Sequence, residues 1–566
     1  MYRLSFVILI TVFSQNLFSQ AYQVKWGNEF KFDKKSGDLE IIYTDNSGIY
    51  IKEAHLVVKR LSLLSATRES ATLIKCDKDL NRIYTNDFNG ELRGKEFERI
   101  MFLKNRLYLF ATDYVRRDGM LKLYSLELDK NNGKRISEWK EIAAWEKEER
   151  GDDLDFQLNY NFDSSKMLLV STREGNSKNN YEVWQFDENL VAASKKPVNI
   201  KNEFSPRTFV LEDVLFTQSN TVLVTASQYE LENAKNKGRK FKGYSLRLYS
   251  SDGKLIKDIH AEEKNKIPLM LKVVQQSPAQ LALTAFYIDV LGASIKGIMT
   301  ARIDPVTGEV LGSYSREINA EISGVEDSVD NGNDSIKAPP GAGLGISRTM
   351  LFRNFIYTAD NGLVVIAERF NSYDYSRTTS SQRSSMGGYS SSTNRYKAFD
   401  CDEVMVFKVG ENCDIKWLKI LPKFQHEVIE TSSSSTTELA GRDITSAYFT
   451  STGWNNRPYY SSIGTCISNG RILMIVNDYD VNAQITGLGQ KPRRVSYLGH
   501  TLCYAISYDI NDGTCTRTIL FDNKAKGVPT AMPRFGRLLG REFYMVGKQD
   551  RVLGKSKVAV ARIILE

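Results

Sequence analysis

The sequence contains few of the residues, and none of the short motifs, that define the common enzyme families. Only four of its 566 residues are histidine, and they lie apart from one another and beside no other candidate ligand: His55, His260, His426 and His500. The six cysteines form no CxxC pair and no Cys/His spacing typical of zinc. No G-x-S-x-G, H-E-x-x-H, EF-hand, P-loop or dinucleotide-binding motif occurs. The sequence therefore predicts no catalytic residue, no metal site and no cofactor.

Long apolar runs are also scarce. Leu4 to Phe13 is apolar but too short to span a bilayer, which needs about 20 residues. The run follows the basic start Met1 to Arg3 and precedes the polar stretch SQNLFSQ, so we expect a secretory signal peptide at residues 1–20, cleaved after Gln20. The junction has no cysteine for a lipid anchor, and it resembles the junctions of exported Bacteroidetes proteins. We predict export to the periplasm or outer envelope, or secretion, with no transmembrane segment and at most peripheral contact with the outer membrane.

The charge pattern argues against a nucleic-acid partner. The formal net charge of +8 is spread over 566 residues. Lysine-rich stretches such as Asn233 to Gly243 alternate with acidic ones such as Trp145 to Asp155. This alternation is typical of solvated loops, whereas a nucleic-acid groove clusters basic residues with aromatic ones on one face.

A repeated β-hairpin dominates what the sequence does contain. An alternating apolar strand enters a tight polar turn, and a second strand leaves it, in seven places: Leu73 to Tyr84, Leu123 to Ile136, Tyr181 to Ala192, Leu246 to Ile256, Met299 to Leu311, Val404 to Trp417 and Tyr504 to Ile519. Two further apolar strands precede most of these hairpins. Four antiparallel strands per repeat predict the blades of a β-propeller.

The two ends of the chain predict how the propeller closes. Tyr22 to Phe32 reads as a lone strand, and the last repeat lacks its outermost strand. Pairing the two ends would remove both open edges. We therefore predict one all-β domain over residues 21–566, a single propeller of four-stranded antiparallel blades, with eight blades and seven as the alternative.

One repeat resembles a known family. Asn161 to Leu190 is similar to the repeat of TolB-type propellers: Phe162, Asp163, Ser164, Ser165 and Lys166 match the opening of that repeat, and Arg173, Gly175, Asn176 and Tyr181 match its middle. The resemblance implies a periplasmic or secreted propeller that contacts other proteins, and it implies no catalytic residues. Ala301 to Tyr314 is similar to a quinoprotein turn but lacks the closing tryptophan, so no cofactor is carried over.

Three long insertions interrupt the repeats, at residues 326–345, 371–399 and 430–462. Long insertions in compact domains are either functional loops or spacers. Tyrosine, serine, glycine and arginine together resemble the composition of binding loops. As partner-binding residues we predict the following: Tyr373, Tyr375, Tyr389, Trp454, Arg457, Tyr459 and Tyr460. A low-complexity spacer is the other interpretation.

The cysteines favour a structural role. Eleven residues separate Cys401 from Cys413, and eleven separate Cys503 from Cys515. We interpret these pairs as repeat-derived, either free or bridged, rather than as a metal or redox site. The predicted function is a non-enzymatic protein-binding or scaffold component of the cell envelope. The alternative is a propeller enzyme, a glycan or peptide hydrolase or lyase, with its site at the central channel; a carboxylate pair for glycan cleavage has no sequence signature.

Overall fold

The computed structural model describes residues 22–32, 36–61, 64–115, 119–147, 153–161, 165–174, 179–202, 205, 207–231, 239–260, 266–288, 295–318, 350–383, 388–431, 458–485, 492–549 and 556–565. This part of the chain folds into 34 strands, two short 3-10 helices (Asp480–Asn482 and Leu498–His500) and connecting turns. The predicted signal peptide lies outside it. No helix in it is long and apolar enough to cross a bilayer.

The first four blades each contain four consecutive strands, paired antiparallel in chain order. Blade one contains β3 (Ser36–Asp45), β4 (Gly48–Leu61), β5 (Leu64–Cys76) and β6 (Arg82–Asp87). Blade two contains β7 (Glu96–Leu103), β8 (Arg106–Val115), β9 (Met120–Leu128) and β10 (Lys140–Glu146). Blade three contains β11 (Asp153–Tyr160), β12 (Met167–Glu174), β13 (Asn179–Phe186) and β14 (Val198–Asn202). Blade four contains β15 (Phe209–Phe216), β16 (Val222–Leu231), β17 (Arg239–Tyr249) and β18 (Leu255–Ile259).

The last four blades repeat this plan with two additions. Blade five contains β19 (Ile267–Ser277), β20 (Gln280–Ile288), β21 (Gly297–Ile303) and β22 (Val310–Glu317). Blade six contains β23 (Met350–Tyr357), β24 (Leu363–Arg383), β25 (Gly388–Val409) and β26 (Ile415–Leu421), and β27 (Gln425–Thr431) pairs with β25. Blade seven contains β28 (Gly464–Ser468), β29 (Arg471–Asp478), β30 (Leu502–Asp509) and β31 (Cys515–Asp522). Blade eight contains β32 (Thr530–Leu539), β33 (Glu542–Gln549), β34 (Ser556–Leu565) and β1 (Tyr22–Trp26), with β2 (Phe30–Phe32) also on β34.

The repeated hairpin owes its turn to one residue with a left-handed backbone. A positive φ occurs at the same turn of seven blades, at Leu80, Gly133, Leu190, Gly253, Gly308, Cys413 and Gly513. At each position the N–H donates back to the residue that starts the turn, as from Gly308 to the Asp304 carbonyl at 2.9 Å. Glycine adopts this conformation without steric cost, and Leu80, Leu190 and Cys413 adopt it under tertiary constraint. The seven hairpins predicted from the sequence are therefore the turns between the third and fourth strands.

The predicted ring closure is confirmed. β1 pairs antiparallel with β34 in a continuous register from Tyr22 opposite Leu565 to Trp26 opposite Ala561. The N-terminal strand thus becomes the fourth strand of blade eight. Because this composite blade adds to the seven repeats, the propeller has eight blades.

The core consists of the contacts between neighbouring blades. Eight buried apolar clusters each draw on two adjacent blades, including one that joins blade eight to blade one through Ile41, Ile51, Met532 and Val560. In the described part of the chain, the faces of each blade are therefore covered by the neighbouring blades.

The antiparallel order of each blade separates two kinds of connection. Turns between strands one and two and between strands three and four lie on one face of the ring. Connections between strands two and three, and from strand four to the next blade, lie on the opposite face, which we call the insertion face. All three predicted insertions fall in connections of this second kind. The three segments that interrupt the repeated blades therefore all begin and end on the insertion face.

Within the insertion predicted as a loop at 371–399, residues 371–383 and 388–399 instead form strands. β24 and β25 continue past blade six and pair from Asn371 opposite Asp400 to Arg383 opposite Gly388. β27 then pairs with β25 from Arg395 to Cys401. We call these segments, residues 370–383, 388–401 and 425–431, the arm. Polar residues fill its strands because the hairpin extends beyond the body of the blade, where alternating apolar residues are not needed. The segment 326–345 lies outside the described residues, as does 432–457.

Candidate functional site

The arm packs on the body through a small apolar cluster at its root. Phe370, Phe399 and Cys401 are buried there against Leu351, with Ile429 of β27 and Met270 of blade five beside them. Leu351 and Met270 belong to the innermost strands of blades six and five. The root of the arm is therefore fixed close to the axis of the propeller, on the insertion face.

A fully buried carboxylate holds the root from within. Glu368 accepts hydrogen bonds from Arg353 Nε at 2.6 Å, Lys423 Nζ at 2.8 Å and Ser462 Oγ at 2.6 Å. Burial raises the pKa of Glu368, but the charges of Lys423 and Arg353 outweigh burial and bring that pKa down to about 2. Lys423 Nζ also donates to the Cys401 carbonyl and to Gln425 Oε1. One ion cluster thus ties blade six, the arm and the segment before β28.

Glu427 of the arm anchors the far end of the third insertion. Its carboxylate accepts backbone N–H bonds from Tyr459, Tyr460 and Ser461 at 2.8–2.9 Å, and a fourth bond from Ser461 Oγ at 2.9 Å. Burial raises the pKa of Glu427, and these four donors oppose that rise. Since β27 ends at Thr431, both ends of the insertion lie beside the arm.

Amide side chains extend the network into blades seven and eight. Gln425 Nε2 donates to the Asn477 carbonyl at 2.7 Å. Asn477 Nδ2 donates to the Tyr460 and Ala531 carbonyls at 2.9 and 2.8 Å, and Asn523 Nδ2 donates to Asn477 Oδ1 at 3.0 Å. Buried polar groups arranged this way rigidify a structure because each satisfies another. The arm is therefore held on three blades.

The face of the arm that points away from the body presents polar and aromatic side chains in rows. Side chains directly opposite in paired strands share a face. The register places Asn371, Asp400 and His426 in one row, Tyr373, Ala398 and Val428 in the next, and Tyr375, Tyr396 and Glu430 in the third. We call this surface the outer face of the arm.

Tyrosine rings and an arginine form a stack on the outer face. Tyr375 and Tyr396 are stacked with ring centroids 5.3 Å apart, and Tyr373 lies 6.2 Å from Tyr375. The Arg377 guanidinium lies 5.5 Å from the Tyr375 ring and 5.9 Å from the Tyr396 ring. Aromatic pairs and cation–π contacts of this kind favour one arrangement of the side chains.

A histidine–carboxylate pair lies at the root end of the same face. His426 Nδ1 is 2.7 Å from Asp400 Oδ1, and Arg494 NH2 is 3.9 Å from the same oxygen. Burial raises the pKa of the neighbouring Tyr373, Asp400 adds to that rise and Arg494 opposes it. Asp400 thus fixes the orientation of the imidazole, and its charge is shared by two basic groups.

The structure brings together two of the predicted partner-binding residues and separates the others. Tyr373 and Tyr375 lie on the outer face. Tyr459 is 7% exposed and packs in the cluster between blades eight and one, so its prediction as a surface contact is wrong as far as the described structure goes. Tyr460 is half-buried beside it. The side chain of Tyr389, and all of Trp454 and Arg457, lie outside the described residues.

Sequence reasoning missed the remaining members of the outer face. Arg377, Tyr396, Asp400, His426 and Arg494 come from four separate stretches of the chain. The sequence did contain one indication of this face: Tyr373 and Tyr375 are two residues apart, as are neighbouring side chains on one face of a strand. Reading that period would have predicted a hairpin and led to Tyr396 on its second strand.

The innermost strands carry charged side chains that are already paired. Glu40 pairs with Lys52 at 3.3 Å, and Asp213 pairs with Lys272. The guanidinium groups of two arginines donate to carbonyls of the neighbouring blade, from Arg537 to Ile41 at 3.1 Å and from Arg99 to Leu158. The Glu40–Lys52 pair lies within blade one, and the other three contacts join adjacent blades around the axis.

Cysteines and metal ligands give no site in the described residues. All six cysteines are free, and five of them are buried. Burial raises the pKa of Cys401 to about 12 and also raises that of Cys503, so neither is a ready nucleophile. No group of three or more histidine, cysteine or acidic side chains in this part of the chain is arranged to hold a metal ion.

Comparisons with known proteins give similarity of fold only. No protein-family model matches the chain, and a search of curated proteins found no significant match. Among solved structures, the chain is similar to the β-propeller domain of the trilobed protease from Pyrococcus furiosus, at 11% identity over 68% of this chain and 95% of that one, with a TM-score of 0.31. It is also similar to cobalt-substituted Synechocystis ACO, at 10% identity over 90% and 93%, with a TM-score of 0.32.

Prolyl oligopeptidase B from Galerina marginata matches at 12% identity over 65% of this chain, with a TM-score of 0.27. The chain spans only 39% of the length of that protein. At such identities and TM-scores, none of these similarities carries an argument about activity, because one fold hosts many functions.

Proposed function

We propose that this protein is an exported, non-enzymatic β-propeller that binds another envelope protein through the outer face of the arm. The observation that carries the proposal is the stack of Tyr375, Tyr396 and Arg377 on a hairpin that extends beyond blade six. Tyrosine and arginine are enriched among the few residues that carry most of the binding energy at protein interfaces. Here they are grouped on one face rather than scattered.

The anchoring of the arm supports this role. Binding loses less conformational entropy when the contact residues are already ordered. The Glu368 and Glu427 clusters bind the root of the arm to the propeller body, and stacking orders the tyrosines at its outer face. The propeller then acts as a rigid support, and the arm acts as the contact element.

The second candidate is an enzyme that acts on a glycan or a peptide. The observation that favours it is the 2.7 Å contact between His426 Nδ1 and Asp400, because a carboxylate on Nδ1 orients the other imidazole nitrogen for proton transfer. The sequence predicts the site of this alternative at the central channel, where the charged side chains named above are paired. We rank binding first because no nucleophile of the described residues contacts the imidazole.

The test compares the full chain with the double variant Tyr375→Ala/Tyr396→Ala. The matched control is Tyr357→Ala. Tyr357 is 45% exposed and ends β23, on the face of the ring opposite the insertion face. Each protein is immobilised, incubated with a detergent-solubilised envelope fraction, and its bound partner is quantified by mass spectrometry alongside a melting curve.

We expect partner recovery to fall about tenfold or more with the double variant, since two interface tyrosines contribute at least about 1.4 kcal/mol together. The melting temperature and the recovery by the control should stay at the wild-type values. Equal recovery of every partner by the wild type and the double variant would refute the proposed binding face.

A further inference from the structure

We propose that the attachment of the arm to blade six is pH-sensitive: a proton bound to Asp402 strengthens it, and loss of that proton weakens it. Asp402 lies in β25, next to Cys401 of the apolar cluster at the root of the arm. The proton acts on how firmly the arm is held, so the effect does not depend on the proposed partner.

A β-bulge at the root places two acidic side chains beside one guanidinium. The register of β24 and β25 shifts between Glu368 and Phe370, so that Arg369 faces two residues of β25, Asp402 and Glu403. Such a bulge sets two residues of one strand against one residue of the other. Arg369 Nη2 lies 2.9 Å from Asp402 Oδ2, and Arg369 Nε lies 2.6 Å from Glu403 Oε2. One positive charge is thus shared by two carboxyl groups.

Asp402 is the more deeply buried of these two carboxyl groups. Its side chain is 8% exposed, compared with 15% for Glu403. Its Oδ1 is buried and has no hydrogen-bond partner among the described residues. A buried carboxylate oxygen that accepts no hydrogen bond is costly to keep ionised, whereas the protonated carboxyl is neutral. A proton on Asp402 also leaves the charge of Arg369 balanced by that of Glu403.

The charged groups that act on Asp402 within the described residues come from three segments. They are Arg369 from β24, Asp400 and Glu403 from β25, and Lys423 from the segment after β26. Burial is the largest influence and raises the pKa of Asp402 to about 7. Arg369 and Lys423 oppose that rise, and Glu403 and Asp400 add to it. Asp402 therefore exchanges its proton near neutral pH.

The direction of the pH effect follows from burial in the closed root. A carboxyl group whose pKa is higher in the closed state holds that state less firmly as the pH rises. For Asp402 the hold is complete below its ordinary pKa of 3.8 and declines until the pH reaches about 7. Opening of the root would hydrate the ionised carboxylate, and it would separate Phe370 and Cys401 from their buried cluster. The arm should therefore open more readily at neutral than at mildly acidic pH.

Two other titratable groups of the arm give a pH dependence of their own. Burial raises the pKa of Glu427, and His426 pairs with Asp400. A substitution of Asp402 leaves both groups in place, so it separates their effect from that of Asp402.

The experiment measures amide hydrogen–deuterium exchange of the full chain by mass spectrometry at pH 5, 6, 7 and 8. Peptides from the arm report its opening, and peptides from β12 in blade three are the internal reference. The test variant is Asp402→Asn, which is uncharged at every pH, as the protonated group is. The matched control is Asp374→Asn, the same change at an exposed position of the arm. Proteins are compared at the same pH, so the intrinsic exchange chemistry of the amides cancels.

We expect the opening of the wild-type arm, relative to that of Asp402→Asn, to rise by up to about tenfold per pH unit between pH 5 and pH 7. It should level off above a pH of about 7. The Asp374→Asn control should follow the wild type, and β12 should not change. A ratio that stays constant from pH 5 to pH 8 would overturn the proposal. An equal change in β12 would also overturn it, because the effect would then belong to the whole propeller.

A second variant, Glu403→Gln, gives a result that a purely structural role of Asp402 would not give. It removes a neighbouring negative charge and leaves Arg369 to Asp402 alone, so the pKa of Asp402 should fall. The pH at which opening levels off should then be lower than in the wild type. This variant retains Asp402, so it decides the question even if Asp402→Asn does not fold. Levelling off at the wild-type pH would contradict the proposal.

Discussion

The Glu368 cluster offers the sharpest test of how the arm is held. We predict that Glu368→Gln destabilises the propeller by about 3–5 kcal/mol, because it leaves Lys423 and Arg353 as buried cations without their shared counter-charge. The pKa of Glu368 gives the size of this free-energy change independently. The pKa of Glu368 falls from 4.5 to about 2. A shift of that size corresponds to about 3 kcal/mol at about 1.4 kcal/mol per pKa unit.

The sign of the pH dependence follows from the same shift. A carboxyl group whose pKa is lower in the folded state stabilises the fold above its unfolded pKa. For Glu368 this stabilisation is complete above pH 4.5 and is lost as the pH falls toward 2. Glu368→Gln removes the titrating group, so this variant should lose less stability than wild type across that range.

The assay is urea denaturation followed by tryptophan fluorescence at pH 7 and at several values between pH 5 and pH 3. The control is Glu309→Gln, a change at an exposed side chain beside the turn of blade five. Unfolding midpoints for Glu368→Gln that match those of wild type at pH 7 would refute the reasoning. Unfolding midpoints of the wild type and the variant that fall in parallel below pH 4.5 would also refute it.

Two further predictions concern the ring and the thiols. Deleting residues 557–566 should lower the free energy of unfolding by several kcal/mol. The deletion removes the partner of β1 and exposes the apolar faces of blades one and seven. A melting temperature equal to that of the wild type would contradict the role of this strand in closing the ring. Cys503→Ser places a hydroxyl at a buried, unbridged position and should cost about 1–3 kcal/mol while partner binding is retained. Loss of binding by a Cys503→Ser protein that is still folded would assign that thiol a role beyond packing.

Much of the fold was predictable from the sequence because its signals are local and repeated. Apolar alternation marks the strands, and the polar turn at the left-handed residue recurs in seven blades. The pairing of Tyr22–Trp26 with the last strand was also predictable, since a lone strand at each end leaves two edges that can satisfy each other.

The structure of the arm was not predictable in the same way. A hairpin outside the body buries neither face fully, so its serine- and threonine-rich strands lack the apolar period that identifies the blades. Two tyrosines side by side in sequence, Tyr459 and Tyr460, look like a surface pair, yet Glu427 binds the backbone of both and Tyr459 packs in the core. Burial of this kind depends on where the chain returns after a long insertion.

The sequence by its own patterns therefore determined the repeating blade, its turn and the closure of the ring, because all three depend on periodicity and on unpaired edges. Only the tertiary structure decided which side chains form the site. Glu368 and Lys423 are 55 positions apart, and Asp400 and Arg494 are 94 apart. No local pattern encodes such pairs, because their proximity depends on three blades, β27 and the segment after β29 meeting at one face of the ring.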